Sequence, residues 1–178
     1  KTNPAVSATG ASATWYTSNP TITLSASDAA SGLSYAKYAW DSSDATCRAS
    51  GTSYTNGNTI AIPSDGNHTL YLCAADTVTN QGSWNGTYKL DTVNPVAPVP
   101  SSPANANAAF TVSWAAAASD ATSGVASCVL QVSYNAGAYA TVASTNCPVI
   151  GSTTYTHDSG DGPYAFPVLA TDRCGRPP

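Results

Sequence analysis

Asp28-Ala29-Ala30-Ser31-Gly32 returns later in the chain as Asp120-Ala121-Thr122-Ser123-Gly124. Each copy reads as a turn: the Asp carboxylate accepts backbone N–H groups and the Gly takes positive φ. A second pair of phrases follows the same spacing. Asp65-Gly66, an alternating run and Ala75-Asp76 return as Asp161-Gly162, an alternating run and Ala170-Thr171-Asp172. A period of about 95 residues is the size of one small sandwich domain. The chain therefore predicts two tandem modules. A duplicated module that shares no catalytic constellation binds, spaces or builds.

The segments around these turns alternate with period two. In the first module Thr21–Ser27 points Ile22, Leu24 and Ala26 inward. Strands follow at Leu33–Asp41, Thr59–Ile62, Asn67–Asp76 and Thr87–Asp91. In the long fourth strand Leu70, Leu72 and Ala74 share one face, and Tyr71 and Cys73 the other. The second module repeats the order with Phe110–Trp114, Ala126–Tyr134, Tyr139–Val142, Thr153–His157 and Pro163–Thr171. Cys128, Leu130, Val132 and Tyr134 are expected on one face, and Tyr164, Phe166, Val168 and Ala170 on one face of the last strand. Short strands with turn signals between them predict an all-β fold. Asp91-Thr92-Val93-Asn94-Pro95 leads into Val96-Ala97-Pro98-Val99-Pro100. Proline cannot donate to a sheet, so this is a stiff linker or a first edge strand. The expected domains are 1–94 and 95–178.

Composition narrows the function classes. The 178 residues are 42% hydrophobic and only 9% charged, with a net charge of −4. All ten acidic residues are Asp, and Met is absent. Asp suits turns, whereas the missing Glu and Met are helix vocabulary. Three Lys and three Arg are scattered, so no basic stripe offers itself to nucleic acid. No apolar run is long enough for a membrane span. Lys1 without initiator Met or signal peptide reads as the start of a processed chain or an excised fragment. Five Cys in a low-charge β-rich chain point to an oxidising compartment.

The second module ends early. In the first, the closing strand lies between Asp76 and Asp91; in the second, only Arg173-Cys174-Gly175-Arg176-Pro177-Pro178 follows Asp172. No closing strand fits there, which predicts an open sheet edge. Either the chain is cut, or a strand from another chain fills the gap and builds a filament.

Thr21 to Gly32, Trp40, Gly66 to Asp76 and Tyr88 to Thr92 together resemble bacterial immunoglobulin-like repeats of large secreted or surface-anchored proteins. Val112-Ser113-Trp114, Ser123-Gly124-Val125, Leu130-Gln131-Val132 and Ala170-Thr171-Asp172 resemble the related fibronectin type III-like repeat. The resemblance implies two tandem immunoglobulin-like β-sandwiches, the second lacking its last strand. It implies stalks, spacers or adhesive modules, and a Cys47–Cys73 bridge worth about 2–4 kcal/mol. The chain departs from the family where the sixth strand ends. The usual Asp-x-Ala-Gly-Asn is Asp76-Thr77-Val78-Thr79-Asn80 in one module and Asp172-Arg173-Cys174-Gly175-Arg176 in the other, which predicts an altered turn.

In the second module Cys128 pairs with Cys147, leaving Cys174 as an unpaired or intermolecular thiol, or else Cys147 pairs with Cys174. The loops bearing Asp28 and Asp76, and Asp120 and Asp172, cluster at one end of such a sandwich. These carboxylates are either calcium ligands or turn acceptors. Trp15, Tyr16, Trp84 and Tyr88 are expected in loops or near edges, where rings stack on sugars, while Trp40 and Trp114 pack between sheets. Asn67 and Asn85 fit the glycosylation pattern. Lys37 and Lys89 are candidates for an isopeptide bond. His68 and His157 lie in or end strands without a nucleophile elbow. The expectation is a non-catalytic, secreted or cell-surface structural module whose partners are other copies or neighbouring repeats. The alternatives are a glycan-binding adhesin or accessory domains of a larger secreted enzyme.

Overall fold

The structure is a computed structural model that describes residues 2–103, 109–145, 151–156 and 162–178. The chain divides into two units, residues 1–92 and 93–178, two residues before the expected boundary. Among the described residues no helix is long and apolar enough to cross a membrane.

Alternation builds the first unit. Its strands are β1 (Ala5–Ala8), β2 (Trp15–Tyr16), β3 (Ile22–Ser27), β4 (Leu33–Trp40), β5 (Thr52–Ser53), β6 (Thr59–Ile60), β7 (Gly66–Asp76) and β8 (Gln81–Leu90). They form a three-stranded sheet β1-β3-β6 and a five-stranded sheet β2-β8-β7-β4-β5. Every pairing is antiparallel except β2 with β8. Ile22, Leu24 and Ala26 from one sheet and Leu70, Leu72 and Ala74 from the other are buried in one core, as the period-two pattern requires. Tyr88 and Leu90 join them, and Trp40 meets the Tyr88 ring edge-on at 5.5 Å between centroids.

One helix interrupts this pattern. α1 (Asp44–Ser50) starts at Ser43, whose hydroxyl accepts the Thr46 N–H at 3.2 Å. Arg48 bridges back to Asp44 at 2.8 Å, an i,i+4 pair. The helix packs on β7 and covers the face that carries Cys73, opposite Leu72 and Ala74. Cys73 is therefore buried although it does not face the sandwich core.

The second unit contains β9 (Pro100–Ser101), β10 (Phe110–Trp114), β11 (Val125–Tyr134), β12 (Ala140–Thr145), β13 (Gly151–Tyr155), β14 (Tyr164–Ala165) and β15 (Val168–Asp172). One sheet runs β13-β10-β9; in the other, β11 pairs with β12 on one side and with β14 and β15 on the other. The expected single strand 163–171 is broken at Phe166-Pro167, because proline has no N–H to give. The Pro167 carbonyl instead accepts from Gln131 N at 2.9 Å. The expected face of β11 does not hold to its end: Ser133, not Val132, is buried, and opposite Leu130 and Gln131 the register with β12 shifts by one residue. Its hydroxyl donates to the Gly137 carbonyl at 2.7 Å, which meets the need created by burial. Trp114, Val112 and Leu130 form one cluster, and Ala118, Cys128 and Ala170 another. Among the described residues β15 pairs with β11 alone, whereas its counterpart β7 lies between β4 and β8. Asp161, Cys147 and His157 lie outside the described residues.

Candidate functional site

Asp28 and Asp76 do meet, through Ser31. Asp28 Oδ1 accepts the N–H groups of Ala30, Ser31 and Gly32 at 3.1, 2.8 and 2.9 Å. The Ser31 hydroxyl donates to Asp76 Oδ2 at 2.9 Å. Asp76 Oδ1 accepts Val78 N and Asn80 N, and Oδ2 also accepts Asn80 Nδ2 at 2.6 Å. A carboxylate has about four lone-pair sites, and all those of Asp76 are occupied by the chain itself. Burial pushes the Asp76 carboxyl up, but these donors outweigh it and hold it below its ordinary value. Asp76 stands here as a turn acceptor.

The second unit repeats the geometry with one change. Asp120 Oδ1 accepts Thr122 N and Gly124 N at 3.1 and 2.7 Å. Asp172 Oδ1 accepts Cys174 N and Arg176 N, each at 2.8 Å. The backbone of the two Asp turns matches: Asp76 N bonds to Asn80 O and Asp172 N to Arg176 O. Thr79 at φ +70 occupies the left-handed position that Gly175 fills at φ +84. The side chains differ, however. Arg176 Nε donates to Asn94 at 3.0 Å, and Asp172 Oδ2 is buried without a partner among the described residues.

Cys47 and Cys73 are disulfide-bonded across 26 residues of sequence. Cys128 is disulfide-bonded as well, and Cys174 is a half-buried thiol. The Cys147 part of the expected pairings lies outside the described residues.

The four aromatic candidates differ in exposure: Trp15, Tyr16 and Trp84 are half-buried and Tyr88 is buried. Tyr88 is fully buried, its hydroxyl donates to the Thr9 carbonyl at 2.7 Å, and burial pushes its phenol up to about 12. It presents no face to a sugar, contrary to the sequence expectation. Trp84 and Tyr16 pack against the core. The Trp84 ring lies across Gly86, where a Cβ would stand 2.4 Å from it. Trp15 and Tyr16 are consecutive in a strand and so face opposite sides, with Lys89 Nζ 5.8 Å from the Trp15 ring centre. Trp114 is buried as expected, and Trp40 packs at the core margin. Asn67 and Asn85 are exposed on β7 and β8, open to modification. Lys37 Nζ donates to the Arg48 carbonyl at 3.0 Å near the end of α1.

A constellation that the sequence did not announce lies where β4 ends and β7 begins. Asp41 Oδ2 sits 2.6 Å from His68 Nδ1, and His68 Nε2 sits 3.2 Å from the Ser64 hydroxyl. Asp41 also exchanges two bonds with Thr69, through its own N–H and through Oδ1. Burial pushes the Asp41 carboxyl up; the bonds from His68 and Thr69 more than reverse this and hold it below the usual range.

No family model and no curated protein matches the chain. Solved structures similar to it include the following two. Domains A168–A170 of titin superpose with a TM-score of 0.54 at 13% identity, covering 92% of this chain and 57% of that one. The chain thus spans little more than half of that titin structure. The fibronectin(III)-like modules of Clostridium thermocellum CbhA give a TM-score of 0.42 at 12% identity, with 97% and 88% covered. At this identity likeness speaks for architecture alone, and the titin match together with the strand layers in each unit gives the chain an immunoglobulin-like all-β sandwich fold.

Proposed function

We propose that the chain is a structural module, a stalk or spacer of a secreted or surface protein, in which each sandwich supplies a rigid step. The observation that carries this reading is where the polar chemistry goes. The duplicated Asp residues accept backbone N–H groups in turns, and Asp76 has no lone pair left over. The Cys47–Cys73 bond supports an oxidising, extracellular setting. Secretion of the chain with the bond formed, and no ligand captured on a glycan array, is the expected result. Specific glycan binding abolished by Trp15→Ala would replace this reading with the adhesin.

A finer form of the proposal concerns β15. In the first unit β8 supplies the strand that flanks β7, and a strand from a neighbouring copy can flank β15 in the same way. Light scattering at rising concentration tests it. Growth into linear assemblies supports strand donation, and a concentration-independent monomer rejects it.

A further inference from the structure

We propose that Ser64 is an activated nucleophile, served by His68 as base and Asp41 as its orienting partner, that accepts acyl groups from small uncharged carboxylic esters. This goes beyond the structural role and does not depend on it. Three segments bring the groups together. β4 pairs antiparallel with β7 so that Trp40 faces Leu70, which sets Asp41, one residue past the strand, beside Thr69. Asp41 adopts φ +48, a left-handed conformation that its two bonds to Thr69 maintain. His68 enters from β7, and Ser64 from the turn Pro63-Ser64-Asp65-Gly66 that precedes it. That turn is tied down by Thr92, whose hydroxyl donates to the Asp65 carboxylate at 2.8 Å.

The direction of each hydrogen bond follows from chemistry. An ionised carboxylate only accepts, so a neutral His68 carries its proton on Nδ1 and gives it to Asp41 Oδ2. Nε2 then holds the lone pair and accepts the Ser64 hydroxyl. This is the polarity of a serine–histidine–aspartate relay. The imidazole is held from the side as well, since the Trp40 ring meets it edge-on at 6.1 Å. Gly66, at φ +134, lets the chain turn beside the imidazole; a Cβ there would only touch Nε2, at 3.4 Å. His68 is only 13% exposed, while Ser64 is exposed and reachable from solvent. Capping of Thr69 accounts for Asp41 Oδ1. It does not account for the choice of partner for the largely buried His68 ring, a serine hydroxyl that is itself open to solvent.

The reaction balances without a further reactant beyond water. Ser64 Oγ attacks the ester carbonyl and forms the new C–O bond while its proton passes to His68 Nε2. The tetrahedral adduct expels the alcohol oxygen, which takes that proton and leaves the acyl group on Ser64. Water then attacks the acyl carbon and gives a proton to Nε2. Ser64 Oγ departs and recovers it, releasing the acid. Asp41 and the chain's negative charge disfavour anionic esters.

The test treats the intact chain with p-nitrophenyl acetate and maps the acetyl group by peptide mass spectrometry. Acetyl on Ser64 is expected, absent in Ser64→Ala. Its rate of formation should fall at least about tenfold in His68→Gln and in Asp41→Asn, the general-base share of such a reaction. Asn keeps the Oδ1 acceptor for Thr69, and Ser64 is exposed, so Asp41→Asn and Ser64→Ala retain the fold. Acetyl found only on lysines or on His68 overturns the proposal, as does an Asp41→Asn variant that labels Ser64 at the parent rate.

Discussion

The two Asp turns share a backbone and differ in how the second carboxylate oxygen is met. At Asp76 the fifth residue is Asn80, whose amide closes on Oδ2; at Asp172 it is Arg176, whose Nε turns to Asn94. The turn itself is therefore set by the first carboxylate oxygen and a left-handed fourth residue. Asn80 and the Ser31 hydroxyl together satisfy the second oxygen of Asp76, whereas that of Asp172 has no partner among the described residues. The cores differ in the same sense. The first unit buries one continuous cluster spanning both sheets, whereas the described part of the second buries two clusters of three residues each. Burial in a continuous cluster leaves less room to collapse around a deleted side chain.

That contrast gives the largest expected effect. Leu72→Ala in the first unit should cost about 4 kcal/mol, and Leu130→Ala in the second about 2–3 kcal/mol. Hydrogen exchange read peptide by peptide in denaturant separates the units; equal costs would erase the distinction between the cores. Replacing Cys47 and Cys73 together by Ser should cost about 3 kcal/mol through loop entropy, in the first unit only. Loss of protection in 93–178 as well would mean that the units do not unfold separately.

The turns are compared by exchanging their fourth residues. Thr79→Gly should stabilise the first unit by about 1 kcal/mol, because a β-branched residue is strained at positive φ. Gly175→Thr should destabilise the second by a similar amount. Nothing lies within 4 Å of a Cβ at Gly175, so the cost there is backbone alone. Thermal melts check both, and the proposed equivalence of the turns breaks if the signs agree.

The smallest effect is acid sensitivity. Asp76 and Asp41 are held below their ordinary value of 3.8. A depressed carboxyl contributes stability above the unfolded value and loses it as pH falls through the folded one. Amide exchange at Val78, Asn80 and Thr69 should rise selectively as pH drops below that ordinary value. Exchange that ignores pH in this window would remove the carboxylates from the account of these turns.

Period-two patterns and repeated Asp phrases made the sandwich strands and both turns legible, because each depends on neighbours within a few residues. α1 was hidden by a composition poor in helix formers, although Ser43 as cap and the Asp44–Arg48 spacing are local signals that mark it. Tyr88 was misplaced because the closing strand was read from Thr87; from Gln81, Trp84, Tyr88 and Leu90 fall on one side. The Ser64–His68–Asp41 relay was not legible, since Asp41 is 27 residues from His68 and is brought there by strand pairing alone. Ser133 was missed because it lies off the Cys128–Leu130 alternation, which period two alone assigns to the outer face.

The bond that fastens α1 to β7 also fixes how far the first unit can lengthen under tension. Force applied at the chain ends bypasses the segment between Cys47 and Cys73, a separation of 26 residues. At roughly 3.5 Å per extended residue this withholds about 90 Å of contour. A reductant releases that length without altering a single residue, so the extensibility of a stalk made of such units is set by the redox state around it.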